Sequence, residues 1–259
     1  MECTQEDLWY SAGVKALEYI PSDAEIVAFG AGRTVQQALK AFYDREMHVS
    51  RRVVCGSIGT EEYARSLGIN VMRVEDFFYE FPVYIDGADQ IDMYNSLIKG
   101  GLKVNTDGSF TCVGDPGREG CMHREKKLAN ISRQFVVVAD ASKYVPFLGF
   151  NNYPLPIEFD PDKFLDVVIF LKNKFINTLP ELRRRPDGSE FETENFIGGR
   201  KCQIFDINFN GVFAGDLKVL EKDLDSQEGI YSSGLFAIRK PDVVIIADPL
   251  VSGGIKVIE

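Results

Sequence analysis

The sequence contains little histidine and no paired cysteine motif. Its two histidines, His48 and His123, lie far apart in the 259-residue chain, and its five cysteines are never spaced Cys-x-x-Cys. Two distant histidines do not make a histidine-rich metal site, and scattered cysteines are typical of reduced thiols. We therefore expect no metal, no other cofactor and a cytoplasmic protein; magnesium held by carboxylates alone stays an open alternative.

Long hydrophobic runs are also missing. No stretch of about 18 or more apolar residues occurs, so the sequence predicts no membrane-spanning helix. The N-terminal segment Met1–Asp7 is acidic and lacks the basic-then-apolar order of a secretory signal. Hydrophobic residues make up 45% and charged residues 26%, which is ordinary for a globular protein and argues against disorder.

Positive charge is in deficit. The 39 acidic residues outnumber the 29 basic ones, giving a net charge of −10 that repels nucleic acid and anionic membranes. A local basic cluster can still attract a small anion, because salt screens charges beyond ~8 Å. Such a cluster is present, and its competing interpretation is a solvated surface: Lys99, Lys103, Arg118, Arg124, Lys126 and Lys127.

The first 149 residues alternate apolar runs of strand length with helical patterns. Uninterrupted apolar strands separated by helices predict a mostly parallel sheet, and Thr4 to Asp7 resembles a helix capping box. The predicted helices are 8–20, 34–43 and 60–67, and the predicted strands are 25–29, 52–55, 82–85 and 134–139.

The pattern changes near residue 150. Two helical segments, 164–179 and 216–224, are interleaved with short strands at 155–159, 191–194, 203–209 and 230–232. This order predicts a small α+β unit, whereas the apolar run 242–247 rejoins the first sheet. We therefore predict an α/β domain from 1–149 plus 229–259, interrupted by a smaller domain at 150–228.

Two glycine-containing turns follow predicted strands. In Gly30-Ala31-Gly32-Arg33-Thr34, glycines let the backbone approach an anion at a helix N-terminus. The third glycine of the dinucleotide-binding pattern is missing and no obvious acidic ribose ligand follows, so the turn does not predict a nicotinamide site. A plain strand-to-helix turn is the alternative to anion binding. Ser57, in the second turn, is expected to point a donor at a phosphate or to cap the next helix.

Carboxylates and lysines follow other predicted strands. Asp86 and Asp89 stand at the end of an apolar strand, where open α/β sheets place ligands. Lys99-Gly100-Gly101 comes next, then Glu125 at a predicted helix start and Lys143 after another strand. The competing interpretation makes these residues turn caps, an ordinary first helical turn and an exposed lysine.

Several short segments resemble type A ribose-5-phosphate isomerases, in the same order and over essentially the whole chain. Ser66-Leu67-Gly68-Ile69 and Gly234-Leu235-Phe236 also match. The main segments are Asp86-Gly87-Ala88-Asp89, Ile98-Lys99-Gly100-Gly101, Arg124-Glu125-Lys126, Asp140-Ala141-Ser142-Lys143 and Pro154-Leu155-Pro156-Ile157-Glu158. The resemblance implies a Rossmann-like sheet domain with a ferredoxin-like insert, a homodimer or homotetramer, and interconversion of ribose 5-phosphate and ribulose 5-phosphate.

The resemblance also implies roles for individual residues. Glu125 is expected to be the base that moves a proton between two sugar carbons through an enediol, with Asp86, Asp89 and Lys99 around the sugar. Which aspartate does what stays open. The expected substrate-binding residues are Gly30, Gly32, Arg33, Thr34, Ser57, Gly100, Gly101 and Lys143. Folding is expected to gather the main side chains around one small cavity.

Four features depart from the family pattern. In the phosphate loop, Ala31 and Arg33 replace a threonine and a serine, and we expect Arg33 to bind phosphate in compensation. Residues 103–120 form an insertion with a hairpin signal at Asp107-Gly108. It is expected to act as a lid or subunit contact, and a harmless surface insertion is the alternative. Gln90 replaces a glutamate, and the arginine run in 180–189 is predicted to be a solvated face.

Two other functions compete with catalysis of this reaction. A non-catalytic sugar-phosphate sensor would keep the pocket, but it would not need the base Glu125. A related sugar-phosphate isomerase or a transferase of the same fold would act on a different substrate. An isomerase assay distinguishes these alternatives.

Overall fold

The computed structural model describes residues 4–74, 80–104, 110–112, 122–176, 178–197, 199–208 and 215–259. The chain divides into two compact units. The first unit contains Met1–Ala88, Arg124–Tyr144 and Arg239–Glu259, and the second contains Asp89–His123 and Val145–Ile238. This division differs from the predicted domain boundaries mainly by assigning 89–123 to the second unit, and the predicted boundaries stay a prediction.

The helices and strands are numbered in chain order. The helices are α1 (Gln5–Ala16), α2 (Arg33–Asp44), α3 (Ile58–Ser66), α4 (Met122–Ile131), α5 (Phe164–Lys174) and α6 (Leu217–Ser226). The strands are β1 (Ile26–Phe29), β2 (Arg52–Cys55), β3 (Val71–Met72), β4 (Phe81–Asp86), β5 (Gln90–Ile91), β6 (Leu97–Ile98), β7 (Leu102–Val104), β8 (Phe110–Cys112), β9 (Ser132–Asp140), β10 (Leu155–Phe159), β11 (Glu181–Leu182), β12 (Glu192–Ile197), β13 (Arg200–Ile207), β14 (Ile230–Ser233), β15 (Leu235–Phe236), β16 (Val243–Ala247) and β17 (Ile255–Ile258).

A seven-stranded sheet forms the centre of the first unit. Its order is β17-β16-β9-β4-β1-β2-β3, and every neighbouring pair is parallel except β16 with β17. The apolar runs predicted as strands are buried in this sheet, and β16 joins it beside β9 as expected. The predicted α/β fold with a mostly parallel sheet is therefore confirmed.

Helix α1 begins with the predicted capping box. The Thr4 hydroxyl accepts the Asp7 N–H, and the Asp7 carboxylate accepts the Thr4 N–H at 2.9 Å. These two bonds satisfy backbone donors that the first helical turn leaves unpaired. Gly13 then lets α1 approach α2 closely, since a Cβ at that position would lie 2.6 Å from the Cα of Ala38.

The second unit contains an antiparallel sheet of five strands in the order β11-β13-β10-β14, with β12 also paired to β13. Strand β10, helix α5, strands β12 and β13, helix α6 and strand β14 follow one another along the chain, which is the ferredoxin-like order that was predicted. Strands β7 and β8 form the predicted antiparallel pair, whereas the turn at 107–108 lies outside the described residues.

Two predictions about this unit are wrong. Helix α5 ends at Lys174 rather than at residue 179. The apolar residues Ile176 and Leu179, which continued the helical pattern, are 79% and 67% exposed, so their spacing did not reflect burial. Arg183 is only 4% exposed, although the arginine run was expected to be solvated. Its partners replace water, as described below.

None of the helices in the described residues is both long and apolar enough to cross a membrane.

Candidate active site

The carboxyl ends of four neighbouring parallel strands carry most of the predicted residues of the first unit. In the order β9-β4-β1-β2, these strands lead into Asp140, Asp86, Gly30 and Gly56. The Gly30 N–H donates to the Ile85 carbonyl at 2.8 Å, and the Gly56 N–H donates to the Phe29 carbonyl at 2.7 Å. The pairing therefore continues one residue past the strands and aligns the loops above them.

Asp86 ends β4 as a completely buried carboxylate. Its Oδ1 accepts the Ala31 N–H at 3.0 Å and the Gly87 N–H at 2.7 Å, while Oδ2 accepts the Tyr84 hydroxyl at 2.6 Å. Gly30 makes room for it, because a Cβ there would lie 1.7 Å from Oδ1. Asp86 thus fastens the glycine turn after β1, which is the capping role of the competing interpretation; its catalytic role stays a prediction.

Glu125 lies in the first turn of α4 and is only 4% exposed. A Cβ placed on Gly56 would lie 3.1 Å from the Gly30 Cα, 3.3 Å from the Tyr84 hydroxyl oxygen and 3.5 Å from the Glu125 Cγ. The absence of a side chain at position 56 therefore lets Gly30, Tyr84 and Glu125 pack closely against it. Because Tyr84 donates a hydrogen bond to Asp86, these contacts link Glu125, Asp86 and the glycine turn within the first unit, and the catalytic role of Glu125 stays a prediction.

The predicted phosphate turn begins helix α2. Gly32 has a φ of 104°, which favours glycine, and it leaves the helix without a side-chain cap. Arg33 is exposed, and its guanidinium carbon lies 5.1 Å from the ring centroid of Trp9. Thr34 is half-buried beside Gly87. The guanidinium is thus held over an aromatic face, a cation–π arrangement that favours one side-chain orientation.

Lys143 follows β9 in a short 3-10 turn, Ala141–Lys143, and is half-buried. Asp140 organises this turn by accepting the Ser142 N–H at 2.9 Å, the Gln5 amide at 2.5 Å and the Trp9 indole N–H at 3.2 Å. Burial would raise the pKa of Asp140, but the bonds from Ser142 and Trp9 and the charge of Lys143 outweigh it, so the pKa lies below its ordinary value. Trp9 and Asp140 thereby connect Arg33 with Lys143.

Ser57 lies at the N-cap of α3 and is 3% exposed. Its hydroxyl accepts the Thr60 N–H at 3.1 Å and donates to the Thr60 hydroxyl at 3.0 Å. The capping alternative stated for this residue is therefore what the structure contains, and substrate binding by Ser57 stays a prediction.

The remaining predicted residues lie in the second unit. Lys99 is 4% exposed and its N–H donates to the Gly234 carbonyl at 2.8 Å. Asp89 is half-buried, and its Oδ2 accepts the Gly101 N–H at 2.9 Å. Gly100 and Gly101 have φ values of 148° and 73°, both in the region that favours glycine. Asp89 and the Lys99–Gly101 segment therefore form one hydrogen-bonded loop.

The basic cluster predicted from the sequence is only partly available to a ligand. The Lys127 ammonium donates to the Val74 carbonyl at 3.0 Å, so it holds a loop. The side chains of Lys103 and Arg118 lie outside what the structure describes. Within the described residues, no group of three or more His, Cys, Asp or Glu side chains is arranged to hold a metal ion.

Sequence reasoning missed two residues of the first unit. Tyr84 stands two positions before Asp86 on β4, so both side chains point to the same face of the sheet. This spacing could have predicted from the sequence that Tyr84 lies beside Asp86. Trp9 gave no comparable signal, because it lies in α1 whereas Arg33 lies in α2, and no spacing within one element relates the two residues.

The first unit is thus an α/β domain with a mostly parallel sheet, and α/β enzymes place their ligand sites at the carboxyl edge of such sheets. The family model for ribose 5-phosphate isomerase A (phosphoriboisomerase A) matches residues 52–250. The chain therefore belongs to the ribose 5-phosphate isomerase A family, which consists of aldose–ketose isomerases.

Solved structures of this family have the same fold along their whole length. Ribose 5 phosphate isomerase A from Neisseria gonorrhoeae is 27% identical with a TM-score of 0.75, covering 100% of this chain and 98% of that one. A D-ribose-5-phosphate isomerase in complex with phospho-erythronic acid is 24% identical, with a TM-score of 0.77 and full coverage of both chains. The enzyme from Plasmodium falciparum is 23% identical with a TM-score of 0.78, covering 98% and 99%.

Proposed function

We propose that this chain interconverts D-ribose 5-phosphate and D-ribulose 5-phosphate, a step of the non-oxidative branch of the pentose phosphate pathway. Family membership supports the class of reaction. We further propose that it works without a cofactor, in the cytoplasm and as a homodimer or homotetramer, with a small phosphorylated sugar as its substrate and no nucleic acid or membrane partner.

Glu125 is the proposed base. The observation that carries this assignment is a glutamate that is 4% exposed and packs against Gly56 beside the Tyr84 hydroxyl, which donates to the buried Asp86. A carboxylate held on one side of an open-chain sugar removes a proton from one carbon and returns it to the neighbouring carbon. The intermediate is an enediol, and the proton never needs a second base.

Lys99 and the two aspartates are proposed to assist. The Lys99 ammonium stabilises the negative charge that develops on the sugar oxygen as the enediol forms. Asp86 and Asp89 assist proton exchange at the hydroxyl groups and ring opening. Asp86 is supported by its burial and its three donors, which keep its carboxylate in one position.

The phosphate is proposed to bind at the turn Gly30–Thr34, with Gly32, Arg33 and Thr34 at the N-terminus of α2. Backbone N–H groups and the helix dipole favour an anion at this position. Arg33 adds a guanidinium that Trp9 orients, and Lys143 adds a second cation beyond Asp140. Ser57, Gly100 and Gly101 complete the proposed binding residues.

A non-catalytic sensor for the same sugar phosphate is the competing function. Retention of a buried glutamate favours the enzyme, because binding alone needs no base. A second sugar-phosphate isomerase substrate is the other alternative, and it is distinguished by assaying pentose and hexose phosphates side by side.

The test is a spectrophotometric assay of ribose 5-phosphate conversion by the wild type and by Glu125→Gln. We expect wild-type activity that survives EDTA, because the proposed chemistry needs no metal. Glu125→Gln should lower kcat by about 10²–10⁴-fold, the usual contribution of a general base, with a much smaller change in KM.

Glu6→Gln is the matched control, since Glu6 is an exposed glutamate in the first turn of α1. It should leave kcat unchanged. Wild-type binding of ribose 5-phosphate without turnover would establish the sensor instead. Full activity of Glu125→Gln would remove the glutamate from the mechanism while leaving the isomerase assignment standing.

A further inference from the structure

Arg183 is a buried charge in the second unit that the proposed mechanism does not use. It is 4% exposed, although the residue lies just after strand β11 and belongs to no helix or strand itself. Burying a guanidinium costs free energy unless its donors are paired. The position of those donors indicates what the residue does.

Asp206 on β13 pairs with one edge of the guanidinium. Nε donates to Oδ2 at 2.8 Å and the Nη2 group donates to Oδ1 at 2.5 Å, which is a bidentate pair. The ring centroid of Phe191 lies 5.6 Å from the guanidinium carbon. With one edge fixed by Asp206, the direction of the remaining Nη1 group is fixed as well.

The Nη1 group donates to the carbonyl of Gly100 at 2.5 Å. Gly100 is the residue after Lys99, and its own position is tight, because a Cβ there would lie 2.2 Å from the Cγ of Pro156. The loop is also held by the Lys99 N–H on the Gly234 carbonyl and by the Gly101 N–H on Asp89. Arg183 is therefore a charged side chain that donates directly to the backbone of this loop.

We propose that Arg183 is a positioning residue for Lys99, with Asp206 as its orienting partner. The proposal rests on the proposed function, in which Lys99 stabilises the developing oxyanion. Arg183 holds the carbonyl group of Gly100, the residue after Lys99, and thereby constrains the backbone from which the Lys99 side chain extends. Displacing a catalytic group by about 1 Å can cost on the order of 10²-fold in rate, so this single bond has kinetic consequences.

A purely structural role would give a different result. A buried ion pair is weak evidence for stability, because desolvation offsets much of its attraction. If Arg183 only stabilised the unit, its loss would lower the melting temperature and the active fraction without changing kcat per folded molecule. If it positions Lys99, its loss lowers kcat, and the loss disappears once Lys99 itself is removed.

The experiment uses the full chain and compares Arg183→Lys and Arg183→Met with wild type. Lysine keeps the charge but cannot make the bidentate pair and the third bond together. We expect kcat per folded molecule to fall about 10-fold or more for both variants, with KM changed less than about threefold. Arg200→Met is the matched control, because Arg200 pairs with Asp162 at 2.5 Å on the exposed surface of the same unit.

A double-mutant cycle with Lys99→Met decides the question. Residues that act as one unit are non-additive, so Arg183→Met should cause little further loss in the Lys99→Met background. Guanidinium added to an Arg183→Ala variant should restore part of kcat, whereas methylammonium should not.

Additive losses in the cycle, or unchanged kcat in both Arg183 variants, would overturn the proposal. A wild-type chain with no isomerase activity would instead refute the proposed function. The kinetics of the Arg183 variants and the double-mutant cycle therefore test the positioning role, whereas the wild-type assay tests the proposed function.

Discussion

At the scale of single residues, Arg33 is the substitution with the clearest chemical meaning. Two hydroxyl side chains that the family places in the phosphate loop are replaced by Ala31 and Arg33. The guanidinium lies over Trp9, whose indole N–H is held by Asp140. The proposed phosphate turn of this chain therefore carries a full positive charge at the N-terminus of α2.

We predict that Arg33→Ala raises KM for ribose 5-phosphate by about 10-fold or more, since a charge-assisted bond to phosphate contributes roughly 1.5–3 kcal/mol. The change in kcat should be small, because the phosphate is remote from the reacting carbons. Steady-state kinetics at several salt concentrations measure both effects.

Arg52→Ala, at another exposed arginine of the first unit, is the control and should leave KM unchanged. An unchanged KM in Arg33→Ala would mean that the guanidinium contributes nothing to phosphate binding.

Gln90 shows how a departure from the family acquires a structural reason. Its amide nitrogen donates to the Phe150 carbonyl at 2.8 Å, and its amide oxygen accepts the Gly149 N–H at 2.8 Å. A glutamate would offer two acceptors and no donor at neutral pH. The amide is therefore suited to a loop that presents one donor and one acceptor.

At the scale of secondary-structure elements, Asp140 at the end of β9 makes hydrogen bonds both to the turn Ala141–Lys143 and to helix α1. Asp140 caps the turn that carries Lys143 and accepts hydrogen bonds from Gln5 and Trp9 of α1. The hydrogen bonds from Ser142 and Trp9, together with the charge of Lys143, lower the pKa of its carboxyl group despite its partial burial. A carboxylate with a depressed pKa stabilises the fold above its unfolded pKa of about 3.9, and this contribution is lost as pH falls through the folded pKa.

Asp140→Asn is therefore expected to lower stability by about 1–2 kcal/mol at neutral pH, because charge-assisted bonds become neutral ones. The difference from wild type should begin to narrow as pH falls below about 4, where the unfolded carboxylate is protonated, and should vanish once pH falls through the lower pKa of the folded group. Thermal unfolding of both proteins between pH 3 and pH 7 measures this.

Asp23→Asn, at an exposed carboxylate, is the control and should differ little from wild type at any pH. A difference between Asp140→Asn and wild type that stays constant with pH would contradict the assigned cause.

At the scale of the whole molecule, the insertion between Lys99 and Glu125 separates two proposed catalytic residues by 26 positions. Strands β7 and β8 pair within it, and residues 105–109 and 113–121 lie outside the described part of the chain. We predict that deleting residues 104–120 changes the oligomer mass or the kinetics of the enzyme, as expected of a subunit contact or a lid.

Light scattering coupled to gel filtration and the isomerase assay test this deletion together. A harmless surface insertion would leave both the mass and the kinetic constants unchanged, since loop closure costs little with length. That outcome would refute the functional interpretation of the insertion.

The fold was largely predictable because its signals are local. Apolar runs such as 52–55 and 134–139, bounded by turn residues, identified the parallel strands, and the capping box at Thr4 identified the start of α1. The end of α5 was mispredicted because Ile176 continued the apolar spacing although its side chain is exposed. The apolar periodicity of a sequence shows which side chains could be buried, whereas tertiary packing determines which side chains are buried.

Periodicity by itself predicted an α/β protein, and the order of short motifs gave its resemblance to this family together with the residue types available for its chemistry. The tertiary structure decided how those residues are held: the burial of Asp86 beneath the glycine turn, the stacking of Arg33 on Trp9 and the bond from Arg183 to the Lys99 loop. Each of these contacts joins positions that are far apart along the chain. Such pairs leave no periodic trace in the sequence, because their partners meet only when the elements pack.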